Sequence, residues 1–131
     1  MPYFAQAAVD SATIHFDKLY TYLVPEPLAE AVHPGSLVLV PFGRGNHPRM
    51  AVVLECTQQP EVPPRTKTVL DAAPDEARLT PDLLRLVYLL KERAFCTYYE
   101  AVKAIIPYGA QYRMVQSEDG TPRLQSRTER A

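Results

Sequence analysis

The sequence has no tryptophan, only two cysteines and three histidines among its 131 residues, and no long apolar run. Cys56 and Cys96 are far apart and fit no zinc-ligand or redox spacing, so both are expected to be reduced packing residues. The N-terminus carries no basic segment of a secretory signal, and no apolar stretch approaches the roughly 18 residues of a membrane span. These absences favour a cytoplasmic protein without a membrane partner.

Catalytic motifs are also missing from the sequence. It contains no Walker A motif, GxSxG elbow, HExxH or GxGxxG pattern, and the glycines around Arg44 do not make a phosphate loop. The histidines are three isolated positions, His15, His33 and His47. Surface positions explain them better than a metal site does. Asp10 and Asp17 fit turn and cap roles rather than an acid–base pair, so we expect no catalysis, no metal and no cofactor.

The chain also has no large excess of charge of either sign, since its formal net charge is −1. The chain as a whole therefore cannot coat nucleic acid as a polycation would, and any such binding has to be local. Between residues 33 and 67 the cations Arg44, Arg49, Arg65 and Lys67 stand against Glu55 and Glu61. Charge alone leaves an ordinary solvated surface as an open explanation of this region.

Proline, by contrast, is abundant and shapes the first half of the chain. Thirteen prolines are about twice the usual share, which disfavours long helices and favours short strands joined by turns. Runs of β-branched, aromatic and apolar residues predict strands at 3–9, 20–24, 37–40, 50–55 and 67–70. The third and fourth are expected to pair as a hairpin around a partly basic loop. The sequence thus predicts a mainly β domain, a small OB-like β-barrel over about residues 3–72.

The periodicity then changes to that of helices. Thr80 and Pro81 form a helix-start signal, with threonine at the N-cap and proline at the first helical position. The residues predicted on one buried helical face are Leu83, Leu86, Val87, Leu90 and Ala94. We expect helices over about 81–95 and 98–106, the second ended by Pro107, as a helical pair after the barrel. Residues 109–131 are polar and charged and are expected to form a tail that is either loosely held or part of a neighbouring domain.

A binding constellation remains once catalysis is set aside. A site for a terminal nucleotide needs a flat apolar wall for the base, backbone N–H groups or a cation for phosphate, and a polar group for the terminal hydroxyl. Candidates of these kinds are Tyr20, Tyr22, Phe42, Gly43, Arg44 and Lys67. Strand alternation puts Tyr20 and Tyr22 on one face and Thr21 on the other, so core packing is an open alternative for the aromatic residues.

This stretch of the chain resembles a known family, the PriA helicases, also called primosomal protein N′. Its members carry a strand ending in aromatic-x-Tyr-x-x-Pro, then a Pro-Gly turn, then a strand ending in Val-Pro-Phe-Gly. The matching segments here are Tyr20–Pro25, Pro34–Gly35 and Val40–Arg44. The downstream lysine and hydrophobic pair of the family correspond to Lys67–Leu70. The resemblance covers residues 3–108.

The resemblance implies that residues 1–108 form the N-terminal 3′ DNA-binding domain of such an enzyme. It also implies that residues 109–131 are the entry to a winged-helix domain. In the family this domain recognises the 3′ end of a nascent strand at a stalled fork and so orients the helicase. The implied partners are DNA, the remaining helicase domains and primosome proteins. The full-length family is an ATP-dependent 3′-to-5′ DNA helicase, whereas this chain lacks the ATPase motifs and is not expected to be an enzyme.

Carried over by position, the end-binding pocket comprises Tyr20, Thr21, Tyr22, Gly43 and Lys67, with Phe42 and Arg44 adjacent. One departure matters, because many members of the family have aspartate where Thr21 stands. That carboxylate is expected to accept a hydrogen bond from the terminal 3′-hydroxyl and to repel a 3′-phosphate. We therefore predict weaker discrimination between 3′-hydroxyl and 3′-phosphate ends than in relatives with aspartate.

A protein-interaction barrel is the alternative interpretation. In it, exposed strand edges and the helical pair dock onto helicase or primosome partners. The near-neutral net charge favours this alternative. Binding that is insensitive to salt would distinguish it from a DNA-binding module.

Overall fold

Six strands form one curled, mostly antiparallel sheet. The computed structural model describes residues 2–10, 18–73, 79–93, 97–105 and 112–126. The strands are β1 (Tyr3–Val9), β2 (Tyr20–Leu23), β3 (Leu37–Phe42), β4 (His47–Gln58), β5 (Lys67–Thr68) and β6 (Asp71–Ala72). Their order across the sheet is β5-β2-β1-β4-β3-β6, and only the β2–β5 pairing is parallel. The prediction of a mainly β, OB-like barrel is confirmed.

A single segment, residues 67–73, connects the two edges of this sheet. The N–H of Val69 donates to the Leu23 carbonyl of β2 over 2.9 Å, and the next N–H, of Leu70, donates to the Leu39 carbonyl of β3 over 2.8 Å. The sheet must therefore curl, because one short segment bonds to both of its edges. The prediction of one strand over 67–70 is wrong in this respect: the chain crosses from edge to edge there and forms two two-residue strands instead.

Both faces of the sheet are buried. Val38 and Val40 of β3 point into the curl, where they pack with Tyr22 and other apolar residues in what we call the inner core. Leu37 points to the opposite face, where it packs with Val52 of β4 and the helices in the outer core. A strand covered on both sides needs a continuous apolar run rather than an alternating one. The run from 37 to 40, at most 1% exposed, meets that need and confirms the buried strand.

Two helices follow the sheet, α1 (Pro81–Arg93) and α2 (Tyr98–Ile105). The hydroxyl of Thr80 accepts a hydrogen bond from the Leu83 N–H at 3.3 Å, which confirms the predicted N-cap of α1. A capping box that sequence reasoning overlooked begins α2. There Thr97 Oγ1 accepts from the Glu100 N–H at 3.1 Å, and Glu100 Oε1 accepts from the Thr97 N–H at 2.9 Å. The predicted ends at 95 and 106 lie outside the described residues.

The buried face of α1 is centred on Val87, which is fully buried. Leu83, Leu84 and Leu90 pack around it against the outer core. Leu86 was predicted on this face, but it is 40% exposed. Successive helical residues are about 100° apart, so a face that turns toward Leu84 carries Leu86 away from the sheet. Ala94, the last residue predicted on this face, lies outside the described part of the chain.

A hairpin follows the helices, formed by β7 (Tyr112–Gln116) and β8 (Pro122–Ser126). It contacts the barrel: the N–H of Leu124 donates to Asp71 Oδ2 over 2.8 Å, and the Leu124 side chain packs against the outer core. The expectation of a loosely held tail is therefore wrong for these residues. The two strands were not predicted because the segment is polar. A two-stranded hairpin needs few apolar residues of its own when it packs against a neighbouring sheet.

Candidate functional site

A pocket of about 400 Å³ opens at one end of the barrel, where β2 begins, β3 ends and β5 begins. Its lining residues are Tyr20, Thr21, Tyr22, Phe42, Gly43, Arg65 and Lys67. The three strand ends meet because β2 and β5 run parallel, with Tyr22 opposite Lys67. Six of the predicted site residues are thus brought together. Arg44 is exposed on the adjoining turn and is not among the described lining residues, whereas Arg65 was not predicted there.

The aromatic wall of the pocket is made by Tyr20 and Phe42. Their rings pack edge to face, with centroids 5.1 Å apart and planes 88° to one another. Both are partly exposed, and the ammonium of Lys18 lies 5.2 Å from the Tyr20 ring centroid. Such a wall offers a base an aromatic surface for stacking, and a cation nearby favours the phosphate attached to it.

Tyr22 has a different role from Tyr20. It is only 3% exposed, packs in the inner core, and donates a hydrogen bond from its hydroxyl to the Pro41 carbonyl over 2.9 Å. Burial, with a smaller contribution from neighbouring Tyr20, raises the pKa of Tyr22 to about 12. Core packing, the alternative left open for one of the aromatic residues, therefore applies to Tyr22, which supports the pocket floor through its fixed hydroxyl.

The turn after β3 leaves its backbone open to the pocket. Gly43 has a φ of +78°, a conformation that residues with a Cβ rarely adopt, and a Cβ built at this position meets no atom within 4 Å. Its carbonyl accepts two hydrogen bonds, from the Asn46 N–H at 3.1 Å and from Lys67 Nζ at 2.8 Å. The partly basic loop of the predicted hairpin is therefore a fixed turn, and a ligand can approach Gly43 closely.

Thr21 is held by the neighbouring strand. It stands directly opposite Gln6 of β1, and its hydroxyl donates to Gln6 Oε1 over 2.8 Å. A hydroxyl has one proton and two lone pairs, so the proton engaged by Gln6 leaves Thr21 as an acceptor. Thr21 can therefore still accept a hydrogen bond in the way a carboxylate would, although without the negative charge.

The pocket carries two cations, Lys67 and Arg65. An ammonium has three N–H groups, so Lys67 keeps donors for a ligand after bonding to Gly43. Among the described lining residues there is no carboxylate. Arg65 is one of the basic residues between 33 and 67 but was not predicted in the site. The signal that could have found it is its position two residues before Lys67, directly after Pro63 and Pro64.

Several other predicted features lie elsewhere. His33 is hydrogen-bonded to the Glu30 carbonyl at 2.7 Å, away from the pocket. Cys56 is a half-buried free thiol whose pKa is raised by burial, as fits a packing residue. His15, Asp17 and Cys96 fall outside the described residues.

Two kinds of feature are absent from the described part of the chain. Within the described ranges, no group of histidine, cysteine, aspartate and glutamate side chains could hold a metal ion. None of the described helices is both long and apolar enough to cross a membrane.

Comparison with known proteins identifies the family of the chain. The model of a family described as the PriA 3′ DNA-binding domain (3′BD) matches residues 6–107. The match begins within β1 and includes the rest of the barrel, the pocket and both helices. No curated protein matches the chain. The matched residues make up most of the sequence, so the chain belongs to the PriA 3′ DNA-binding domain family, a family of DNA-binding rather than catalytic domains that acts in replication restart.

Proposed function

We propose that the pocket binds the 3′-terminal nucleotide of a DNA strand, such as the nascent strand at a stalled replication fork. The observation that carries this proposal is the convergence of three different kinds of group in one pocket: the Tyr20–Phe42 wall, the open backbone of Gly43 and the ammonium of Lys67. Stacking, close backbone approach and phosphate pairing are the interactions that hold a single-stranded end.

The terminal nucleotide fits these groups in one orientation. Its base stacks on the exposed part of the Tyr20–Phe42 wall, and the free N–H groups of Lys67 bind the phosphate that links it to the preceding nucleotide. The 3′-hydroxyl donates to Thr21, whose own proton is engaged by Gln6. A strand that continues beyond this position has no hydroxyl to donate and must also accommodate a further nucleotide, so a free end binds more tightly than an internal nucleotide.

A circular strand provides the sharpest test of end recognition. Fluorescence anisotropy would compare the protein's affinity for a linear single strand with a free 3′ end and for a circular strand of the same sequence and length. We expect the linear strand to bind about three- to tenfold more tightly, since the contact that a circle cannot make, the terminal hydroxyl to Thr21, is a hydrogen bond between neutral groups worth about 0.5–1.5 kcal/mol. Equal affinity for the two strands would contradict end recognition but would still be consistent with general DNA binding.

In a full-length protein this domain would orient a motor at the fork. We infer that the remaining helicase domains supply ATP-dependent 3′-to-5′ unwinding and that the protein works in the cytoplasm, with primosome proteins as further partners. The family match supports this inference for the domain's role in replication restart. A pull-down of primosome proteins by the full-length protein, with and without this domain's pocket residues substituted, would test the link to the partners.

A protein-interaction surface is the second candidate function, and one observation favours it. Leu86 and Leu89 of α1 are 40% and 42% exposed and lie near one another on the helix surface. Replacing both with lysine would abolish docking of a protein partner through α1 without affecting DNA affinity. If the double variant instead loses DNA binding and keeps every partner, this second function is wrong.

A further inference from the structure

Arg65 occupies a backbone conformation that is unusual for its residue type. It is the third residue of a turn in which the Thr66 N–H donates to the Pro63 carbonyl over 3.3 Å, and its φ is +66°. This is the position of a type II turn that glycine or asparagine normally fills, while proline, here Pro64, is common just before it. The hydroxyl of Thr66 also donates to the Pro63 carbonyl, at 2.7 Å, and so holds the turn closed.

An arginine in this conformation costs stability that a glycine would not cost. Such local strain occurs preferentially where a side chain has a task. The consequence of the turn is visible in the structure, because Arg65 lines the pocket beside Lys67. The strained turn thus brings a second cation to a site that already has one.

The charges of the pocket are unbalanced. Within the described residues, the one ion pair joins Arg85 to Asp82 on α1, and no carboxylate lines the pocket with Arg65 and Lys67. Thr21, at the position where many relatives have aspartate, is neutral and lines the same pocket. Two cations without an anion suit a ligand with more negative charge than one internal phosphodiester carries.

We propose that Arg65 makes this pocket a site for a 3′-terminal phosphate monoester, which it binds at least as well as a 3′-hydroxyl end. This inference rests on the proposed recognition of a 3′ end. A monoester carries nearly two negative charges near neutral pH, and a guanidinium binds it through two parallel N–H donors. Lys67, with one donor committed to Gly43, neutralises the remaining charge. Thr21 adds no repulsion.

The experiment uses the whole chain and three single strands of one sequence, a linear strand ending in a 3′-hydroxyl, a linear strand ending in a 3′-phosphate, and a circle. The affinities of the protein, Arg65→Gly, Arg65→Lys and Arg85→Gln are measured by anisotropy at one salt concentration. Arg65→Gly removes the cation and relieves the positive φ, so its melting temperature should rise. Arg85→Gln removes the same charge from α1, remote from the pocket.

We expect Arg65→Gly to weaken binding of the 3′-phosphate strand on the order of tenfold and of the 3′-hydroxyl strand by no more than about threefold. Arg65→Lys should recover part of this loss, because it keeps the charge without the paired donors. Arg85→Gln should change either affinity by less than about twofold. A tenfold preference of the unchanged protein for the hydroxyl end, or an Arg65→Gly variant that keeps its phosphate affinity, overturns this inference and leaves end recognition intact. Equal binding of the circle overturns end recognition and this inference together.

Discussion

Lys67 donates a hydrogen bond from Nζ to the Gly43 carbonyl over 2.8 Å and so ties the first residue of β5 to the turn after β3. Because Lys67 also stands opposite Tyr22 of β2, this one side chain links the three strand ends that form the pocket. The bond fixes the ammonium beside Gly43 in the pocket before any ligand arrives, which reduces the entropy lost on binding.

Replacing Lys67 with alanine should weaken DNA binding on the order of tenfold and flatten its salt dependence. A phosphate contact to a single strand contributes about 0.7 to the slope of log affinity against log salt concentration, so the slope should fall by up to that amount. Anisotropy titrations across a series of salt concentrations measure both quantities. Arg93→Gln, an exposed position near the end of α1, is the matched control and should leave the slope nearly unchanged. An unaltered slope in Lys67→Ala means that this lysine makes no phosphate contact.

Replacing Thr21 with aspartate should restore discrimination between the two kinds of 3′ end. The carboxylate accepts more strongly from a 3′-hydroxyl than the threonine does and repels a 3′-phosphate. We expect the ratio of hydroxyl-end to phosphate-end affinity to rise by about tenfold or more, measured by competition between the two strands. Thr21→Val, which has a similar shape but no acceptor, should weaken only hydroxyl-end binding. A ratio unchanged by aspartate would place the terminal hydroxyl elsewhere.

Tyr22→Phe should lower the free energy of unfolding by about 1 kcal/mol near neutral pH, because it removes the hydrogen bond to the Pro41 carbonyl. The variant should also be less sensitive to alkali. The pKa of Tyr22 is raised to about 12 in the folded chain, against 10.0 for an ordinary tyrosine. Its contribution to stability is therefore fully present below about pH 10 and is lost as the pH rises toward 12.

Denaturant unfolding at about pH 8 and pH 11 measures this pH effect. The parent chain should lose more stability between the two pH values than Tyr22→Phe does. Some alkaline loss remains in the variant, since burial also raises the pKa values of Tyr3 and Tyr88 to about 12. Equal losses in the two proteins would contradict a buried, neutral Tyr22 hydroxyl.

Asp71→Ala should release the β7–β8 hairpin from the barrel without affecting the pocket. The Leu124 N–H then has no carboxylate to bond, and its hydrogen exchange should become faster by about tenfold. Exchange followed by nuclear magnetic resonance at Leu124 and at a barrel amide such as Val53 separates local release from global unfolding. Glu118→Ala, in the exposed turn of the same hairpin, is the control and should leave Leu124 exchange unchanged. Slow exchange in both variants would mean that apolar packing of Leu124 alone holds the hairpin.

Local patterns were enough to predict much of this molecule. The apolar run at Leu37–Val40, the cap at Thr80 and the two helices follow from interactions between residues close in the sequence. The resemblance to the PriA family also predicted one pocket, and the structure brings its main residues together. These are Tyr20, Phe42, Gly43 and Lys67. Their role in binding a DNA end stays a prediction that the experiments above test.

The features that were not predicted from the sequence depend on tertiary contacts between distant parts of the chain. Leu86 has the same hydrophobicity as Leu84, and only the direction in which α1 faces the sheet decides which of them is buried. The hairpin after α2 contacts the barrel through Leu124, whose N–H donates to Asp71, a residue distant in sequence, and whose side chain packs on the outer core.

The sequence by itself determined strands β1 to β4, the two helices, the cap at Thr80 and the family, because these depend on local backbone preferences and on a short motif. Only the tertiary structure decided how the sheet closes and what charge the pocket carries. One segment, residues 67–73, bonds to both edges of the sheet, and the turn just before it places Arg65 in the pocket with Lys67. Such contacts join residues far apart in the chain, and their energy exists only once the chain has folded around them.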